Sequence, residues 1–266
     1  MEAVASRREA IGRAPELQEA LVADLVEVMQ APFQEEDGYR LGVTDSAKEV
    51  FFGKSEGRLI AVKPFCELTV RDRAEHEASM MNTAQKKGFH VLSNPRVYDG
   101  GMATYLVTDY VANLSPMNNT GWDQSEKPDL YEHEISPLLR KMGSFIGDVH
   151  GNGISHGDLG LKNLPRRKDG VFYLVDLEKA QDCSDMTEDE QISMFSGDVT
   201  VLLCDLVRRN FLYASGWERT ERELLSTLGE PYIEGMTQAG KRDIALSVVE
   251  SAMRVAQTTY TFKHGA

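Results

Sequence analysis

The sequence changes its pattern once, near residue 112, and that change limits the folds open to it. Before residue 112, short runs rich in strand formers alternate with turn residues; after it, apolar residues recur mainly at helical spacing. The runs "YRLGVTD" (39–45), "EVFFGKSEG" (49–57) and "RLIAVKPF" (58–65) predict an antiparallel meander. "HVLSNPRVYDGG" (90–101) and "MATYLVTDYV" (102–111) predict two more strands. A helix over 6–30 precedes them, with Ile11, Leu17, Leu21, Leu25 and Val28 at helical spacing, and "APFQEEDG" breaks that pattern. A second helix is expected over 70–87. The polar connector "ANLSPMNNTGWDQSEKPD" then leads into helices over 131–151, 196–213, 218–228 and 239–257, with one strand, "VFYLVDLE", between the first two. Strands gathered in one part of a chain and helices in the other imply an α+β fold. The expected division is a sheet-bearing part over 1–111 and a helical part over 112–266. No internal repeat interrupts this plan.

Bulk properties narrow the partners. The formal charge is −13, which opposes non-specific attraction to nucleic acid or an anionic membrane surface. Cys66, Cys183 and Cys204 show no metal-ligand spacing. An odd number of unpatterned cysteines suits a reducing compartment. No apolar run is long enough to span a bilayer, and the first twenty residues lack the apolar core of a signal peptide. A cytoplasmic protein with no integral membrane segment is expected.

The chemistry concentrates in "HGDLGLKN" (156–163) and the "VDLE" that ends the following apolar run. Asp158 and Asn163 are five apart, and Asp176 lies eighteen residues beyond Asp158. Phosphoryl transfer needs a carboxylate to orient the attacking hydroxyl, oxygen ligands for magnesium, and a lysine on the phosphates. Taken singly, Asp158 and Asn163 suit a polar turn equally well.

The ordered set resembles the protein-kinase-like superfamily, and "HGD" followed by Asn163 is similar to its aminoglycoside-phosphotransferase branch. Protein kinases carry arginine at the place of Gly157. The resemblance implies ATP and Mg2+ as cofactors, Asp158 as catalytic aspartate, and Asn163 and Asp176 as metal ligands. It also implies a bilobal fold with a small antiparallel-sheet N-lobe and a larger helical C-lobe. It asks for a strand lysine, which "RLIAVKPF" supplies as Lys63 after Ala61 and Val62. It asks for a helix glutamate to pair with that lysine. Val70, Ala74, Met81 and Ala84 share a helix face with Glu77, whereas Glu75 falls with Arg71, Asp72 and Asn82. A carboxylate on an apolar face needs a partner, so Glu77 is chosen. "YLVTDYV" resembles the hinge that reads adenine, with Thr108 at its gate and backbone groups of Asp109 and Val111 at the base edge.

The pattern also departs from the family. No G-x-G-x-x-G is present, and "LGVTDSAKEVFFG" stands in its place. Thr44 and Ser46 there serve either as phosphate donors or as plain turn residues. Lys162 either steadies the transferred phosphate or is simply exposed. Asp198 resembles the aspartate that braces the catalytic loop and also reads as an N-cap. His156 reads as scaffold, and Glu178 is left without a role. The chain between Val111 and His156 is short and no Ala-Pro-Glu follows Asp176. The short stretch favours a compact kinase, similar to lipopolysaccharide-core sugar kinases or small atypical protein kinases, and the missing motif, with Gly157 in place of arginine, speaks against a regulated eukaryotic-type protein kinase. The leading expectation is transfer of the ATP γ-phosphate to a small-molecule or saccharide hydroxyl. An atypical Ser/Thr protein kinase stands second, and a nucleotide-binding pseudokinase third. The acidic run 181–191 would attract a basic acceptor or merely face solvent.

Overall fold

The structure, a computed structural model, describes residues 15–31, 34–35, 50–66, 71–115, 117, 131–208 and 216–264. The start of the leading helix, the run 39–45, Thr44, Ser46 and the end of the helix expected over 196–213 lie outside the described residues. The chain divides into two compact units. One runs to residue 116 and also takes in Arg166–Glu178; the other comprises 117–165 and the chain from Lys179 onward.

In the first unit, helix α1 (Pro15–Met29) leads into strands β1 (Gln34–Glu35), β2 (Phe51–Ser55) and β3 (Arg58–Phe65). Helix α2 (Arg71–Lys86) follows, then β4 (Arg96–Asp99) and β5 (Thr104–Asp109). The five strands form one antiparallel sheet in the order β1-β2-β3-β5-β4. Glu56 and Gly57, both at positive φ, close the β2–β3 hairpin, as a two-residue turn between right-twisted strands requires. Strand periodicity then sorts β3. Ile60 and Val62 turn to one face, where Tyr105, Val107, Leu21 and Leu25 form a buried cluster. Ala61 and Lys63 turn to the other, opposite Thr108 and Leu106. Asp24 ties α1 down by accepting from the Met102 amide at 3.0 Å and the Tyr105 hydroxyl at 2.6 Å.

The second unit holds α3 (Ser136–Gly151), entered through a wide turn at Tyr131–Ile135. A two-stranded ribbon follows, β6 (Ile154–Ser155) with β7 (Gln181–Asp182), and then α4 (Glu188–Arg208). Helix α5 (Trp217–Leu224) passes through a wide turn at Leu225–Gly229 into α6 (Glu230–Gln238), and α7 (Arg242–His264) closes the chain described. Helix α3 lies backbone-close to α6, because a Cβ at Gly147 would collide with the Tyr232 carbonyl oxygen. That approach brings His150 of α3 to the Tyr232 hydroxyl at 2.9 Å.

Several expectations need correction. "VFYLVDLE" is not a strand. Phe172 bridges to Arg166 and Leu174 to Val91, on two different segments, so no ladder forms. Phe172 to Val175 are all buried, and a continuous apolar run does not reveal its backbone form. Asp176 has φ +60° and is followed by a single tight turn, Leu177–Lys179. "APFQEEDG" follows the end of α1 at Met29, as expected, but it also contributes the short edge strand β1. The run 90–101 forms a ladder only over β4, since Asn94 is at positive φ and Pro95 lacks an N–H. Helix α4 begins at Glu188, eight residues ahead of its expected start. Asp198 therefore lies in mid-helix, and the N-cap alternative falls.

Candidate active site

In the first unit, β3, α2 and the segment ending at Glu178 converge on Lys63. Its Nζ donates to Glu77 Oε2 at 2.6 Å and to Asp176 Oδ1 at 2.5 Å, and lies 3.6 Å from Glu178 Oε2. Glu77 is 1% exposed. Its neighbours Ala74, Ala78, Met81 and Ala84 make up the buried face of α2. Glu75 is exposed and bonds Arg71 at 2.7 Å. Burial opposes a charged lysine, yet the Glu77 and Asp176 carboxylates outweigh it and hold the Lys63 pKa above its ordinary value. Arg73, one turn before Glu77, makes an ion pair with Glu178. Neither Arg73 nor Glu178 was assigned a role from sequence. The only local signal was the i, i+4 spacing of Arg73 and Glu77.

The residues expected as a hinge lie at and just beyond the end of β5. Thr108 is buried opposite Ala61. The Asp109 amide donates to the Ser93 carbonyl at 2.9 Å and Tyr110 to the Leu59 carbonyl at 3.0 Å. The Asp109 carboxylate is held by the Asn94 side chain at 2.5 Å. Val111 packs against the Leu92–Tyr173–Val175 cluster.

In the second unit, the loop 156–163 hangs from one buried carboxylate. Asp198 Oδ2 accepts from the His156 amide at 2.6 Å and the Ser155 hydroxyl at 2.8 Å, and faces His150 Nε2 at 3.3 Å. Its Oδ1 accepts from the Gly157 amide at 2.8 Å. Burial pushes the Asp198 carboxyl up, but the hydrogen bond and charge of His150, with His156 and Ser155, hold it below the usual range. His150 stacks on Phe195 at 4.4 Å. Seven residues along the same helix, Asp205 accepts from the Leu161 amide at 3.2 Å. Gly157 has φ +76°, and a Cβ there would collide with the Lys179 carbonyl oxygen, which excludes a side chain at this place.

The loop so held presents Asp158 partly exposed. Asn163 Nδ2 donates to the Asp158 carbonyl at 2.8 Å, which leaves its amide oxygen as the ligand-type atom. Lys162 and Lys179 lie 3.7 and 3.9 Å from Asp158 Oδ2; sequence reasoning passed over Lys179. The oxygens of Glu77, Asp176 and Glu178 all lie within 4.8 Å of one another. Carboxylate oxygens are hard donors of the kind that magnesium takes, so the chemistry of these three residues fits that ion.

A small antiparallel sheet with a buried lysine–glutamate pair, followed by a helical part with a braced aspartate loop, marks the protein-kinase-like class. Residues 39–192, more than half of the chain, match the model of the lipopolysaccharide kinase (Kdo/WaaP) family, and the chain belongs to that family. It is a kinase. Among solved structures it is similar to a MAP kinase from Leishmania major, with 16% identity over 92% of this chain and 88% of that one and a TM-score of 0.47. No curated protein matches the chain. No helix among the described residues is long and apolar enough to cross a membrane.

Proposed function

We propose that the chain transfers the γ-phosphate of ATP, bound with magnesium, to a hydroxyl of a saccharide. The observation that carries this reading is Lys63, fixed and charged between Glu77 and Asp176. A buried ammonium held in this way is built to meet phosphate oxygens.

The roles follow from the chemistry of each group. Lys63, positioned by Glu77, contacts the ATP phosphates. Thr108 gates the adenine site and Ala61 lines it. With its amide committed to Ser93, Asp109 offers its carbonyl to the adenine edge, beside the Val111 amide. Asp158 orients the acceptor hydroxyl and takes its proton as the new O–P bond forms and the bond to the β-phosphate oxygen breaks. Lys162 neutralises charge gathering on the phosphoryl oxygens. Asp176 and the amide oxygen of Asn163 are the residues that would hold magnesium. That ion, when bound, neutralises the phosphates and polarises the phosphoryl group. Thr44 and Ser46 remain candidate donors to the phosphates. ATP supply suits a cytoplasmic setting, and no disulfide links the three cysteines.

The test uses γ-labelled ATP, magnesium chloride and purified lipopolysaccharide. Wild type should label the saccharide, and Asp158→Ala should not, while binding ATP within about threefold of wild type. Label that appeared on serine or threonine of the chain itself, with none on the saccharide, would refute the acceptor. Full transfer by Asp158→Ala would refute the assignment of the base.

A further inference from the structure

In the proposed reaction Asp176 has two tasks. It accepts from Lys63 Nζ at 2.5 Å, and it would also serve a metal ion. A carboxylate drawn toward a cation gives up part of its hold on the lysine. Lys63 would then rest on Glu77 alone, unless another carboxylate stood ready.

Glu178 stands there. It is 5% exposed, two residues past Asp176, with one oxygen 3.6 Å from Lys63 Nζ and the other paired to Arg73. A carboxylate so buried is stable only with cationic or hydrogen-bonding partners. Arg73 stands four residues before Glu77 on α2, so the helix grips the 176–178 segment at two points one turn apart. Glu77 holds it through Lys63, and Arg73 holds it directly. Two cations and three carboxylates thus share one cluster, with Lys63, Glu77 and Glu178 at its buried centre and Arg73 and Asp176 half-buried.

We propose that Glu178, clamped by Arg73, is a positioning residue that keeps Lys63 and α2 in place while Asp176 is released to the metal. The proposal rests on the assignment of Asp176 as a metal ligand. It deepens that assignment by giving the third residue of "DLE" a task that neither the motif nor the family match assigns. In this assignment Glu178 acts through Lys63, 3.6 Å away, rather than on the metal or the reacting atoms.

The experiment titrates magnesium chloride into full-length protein holding a fluorescent ATP analogue and reads the half-saturating magnesium concentration. Glu178→Gln and Arg73→Met should each raise that concentration at least about fivefold, the lower end of a site-to-site coupling. Affinity for the analogue without metal should stay within about twofold. Arg73→Met decides between mechanisms, because simple electrostatics gives the opposite sign: removing a cation beside three carboxylates would strengthen magnesium binding. Arg73→Lys should recover part of the loss. In protein free of metal and nucleotide, amide hydrogen exchange over 71–86 should quicken in Arg73→Met. If Glu178→Gln does not fold, the two Arg73 variants carry the same decision. An unchanged or lowered magnesium midpoint in Arg73→Met, or unchanged exchange in α2, overturns the proposal. Asp176→Asn separates the levels. If it abolishes the magnesium effect while Arg73→Met does nothing, only the positioning role fails. If it leaves the magnesium effect intact, the metal-ligand assignment fails first.

Discussion

Replacing Asp198 by asparagine keeps the side chain's shape and removes only its charge and one acceptor. The wild-type carboxylate receives the amides of His156 and Gly157 on different oxygens, at 2.6 and 2.8 Å. Whichever way an asparagine amide turns, its NH2 faces one of those N–H groups. An unmade buried hydrogen bond of this kind costs about 1–3 kcal/mol, and lost charge assistance on the others adds about 1 kcal/mol. A total of about 2–4 kcal/mol should lower Tm by roughly 5–15 °C for a chain of this size. Differential scanning calorimetry at neutral pH measures it. The pH dependence has a fixed sign. The folded pKa of Asp198 is depressed, so its contribution is fully present above the unfolded value and is lost as pH falls through the folded one. The gap between wild type and variant should stay constant down to about pH 5 and narrow only in stronger acid. A Tm unchanged within about 2 °C, or a gap that widens on acidification, would refute the view that this carboxylate carries the loop.

Three more outcomes follow from the same geometry. Glu77→Gln should lower ATP turnover at least about tenfold, ~1.4 kcal/mol, whereas Glu75→Gln, whose Arg71 pair is exposed, should leave it within about twofold; equal losses would show that the two glutamates are not distinguished by burial. Gly157→Ala should destabilise the second unit by at least about 1–2 kcal/mol from its positive φ alone, with the Lys179 carbonyl adding to it, and a neutral result in denaturant melts would contradict the close contact. Leu25→Ala removes a fully buried side chain under the sheet and should cost about 2–5 kcal/mol in urea unfolding, while Glu27→Ala, on the exposed side of α1, should change little.

What was legible in the sequence was local. The hairpin could be read because Glu56–Gly57 supplies the turn its strands need. Glu77 separated from Glu75 because helical periodicity puts one with alanines and methionines and the other with charges. Asp158 and Asn163 could be matched by spacing because five residues form one short loop, whose internal bond runs from Asn163 to the Asp158 carbonyl. The backbone of 171–178 was not legible, since a run buried on all sides has no period to display. Nor was the place of Asp198, because the polar residues from Glu188 onward masked the first turns of α4.

The sequence by itself determined the α+β class, the hairpin, the helix that carries Glu77, and the residue types that phosphoryl transfer requires. These follow from propensity and periodicity, which act over three or four residues. Only the tertiary structure decided that Lys63 also meets Asp176 and that Arg73 meets Glu178. Lys63 and Asp176 are 113 residues apart, and Arg73 and Glu178 are likewise distant in the chain. Their pairing depends on backbone paths that local spacing does not encode. Burial then makes those pairings binding, because a charge withdrawn from water must find its partner within the fold.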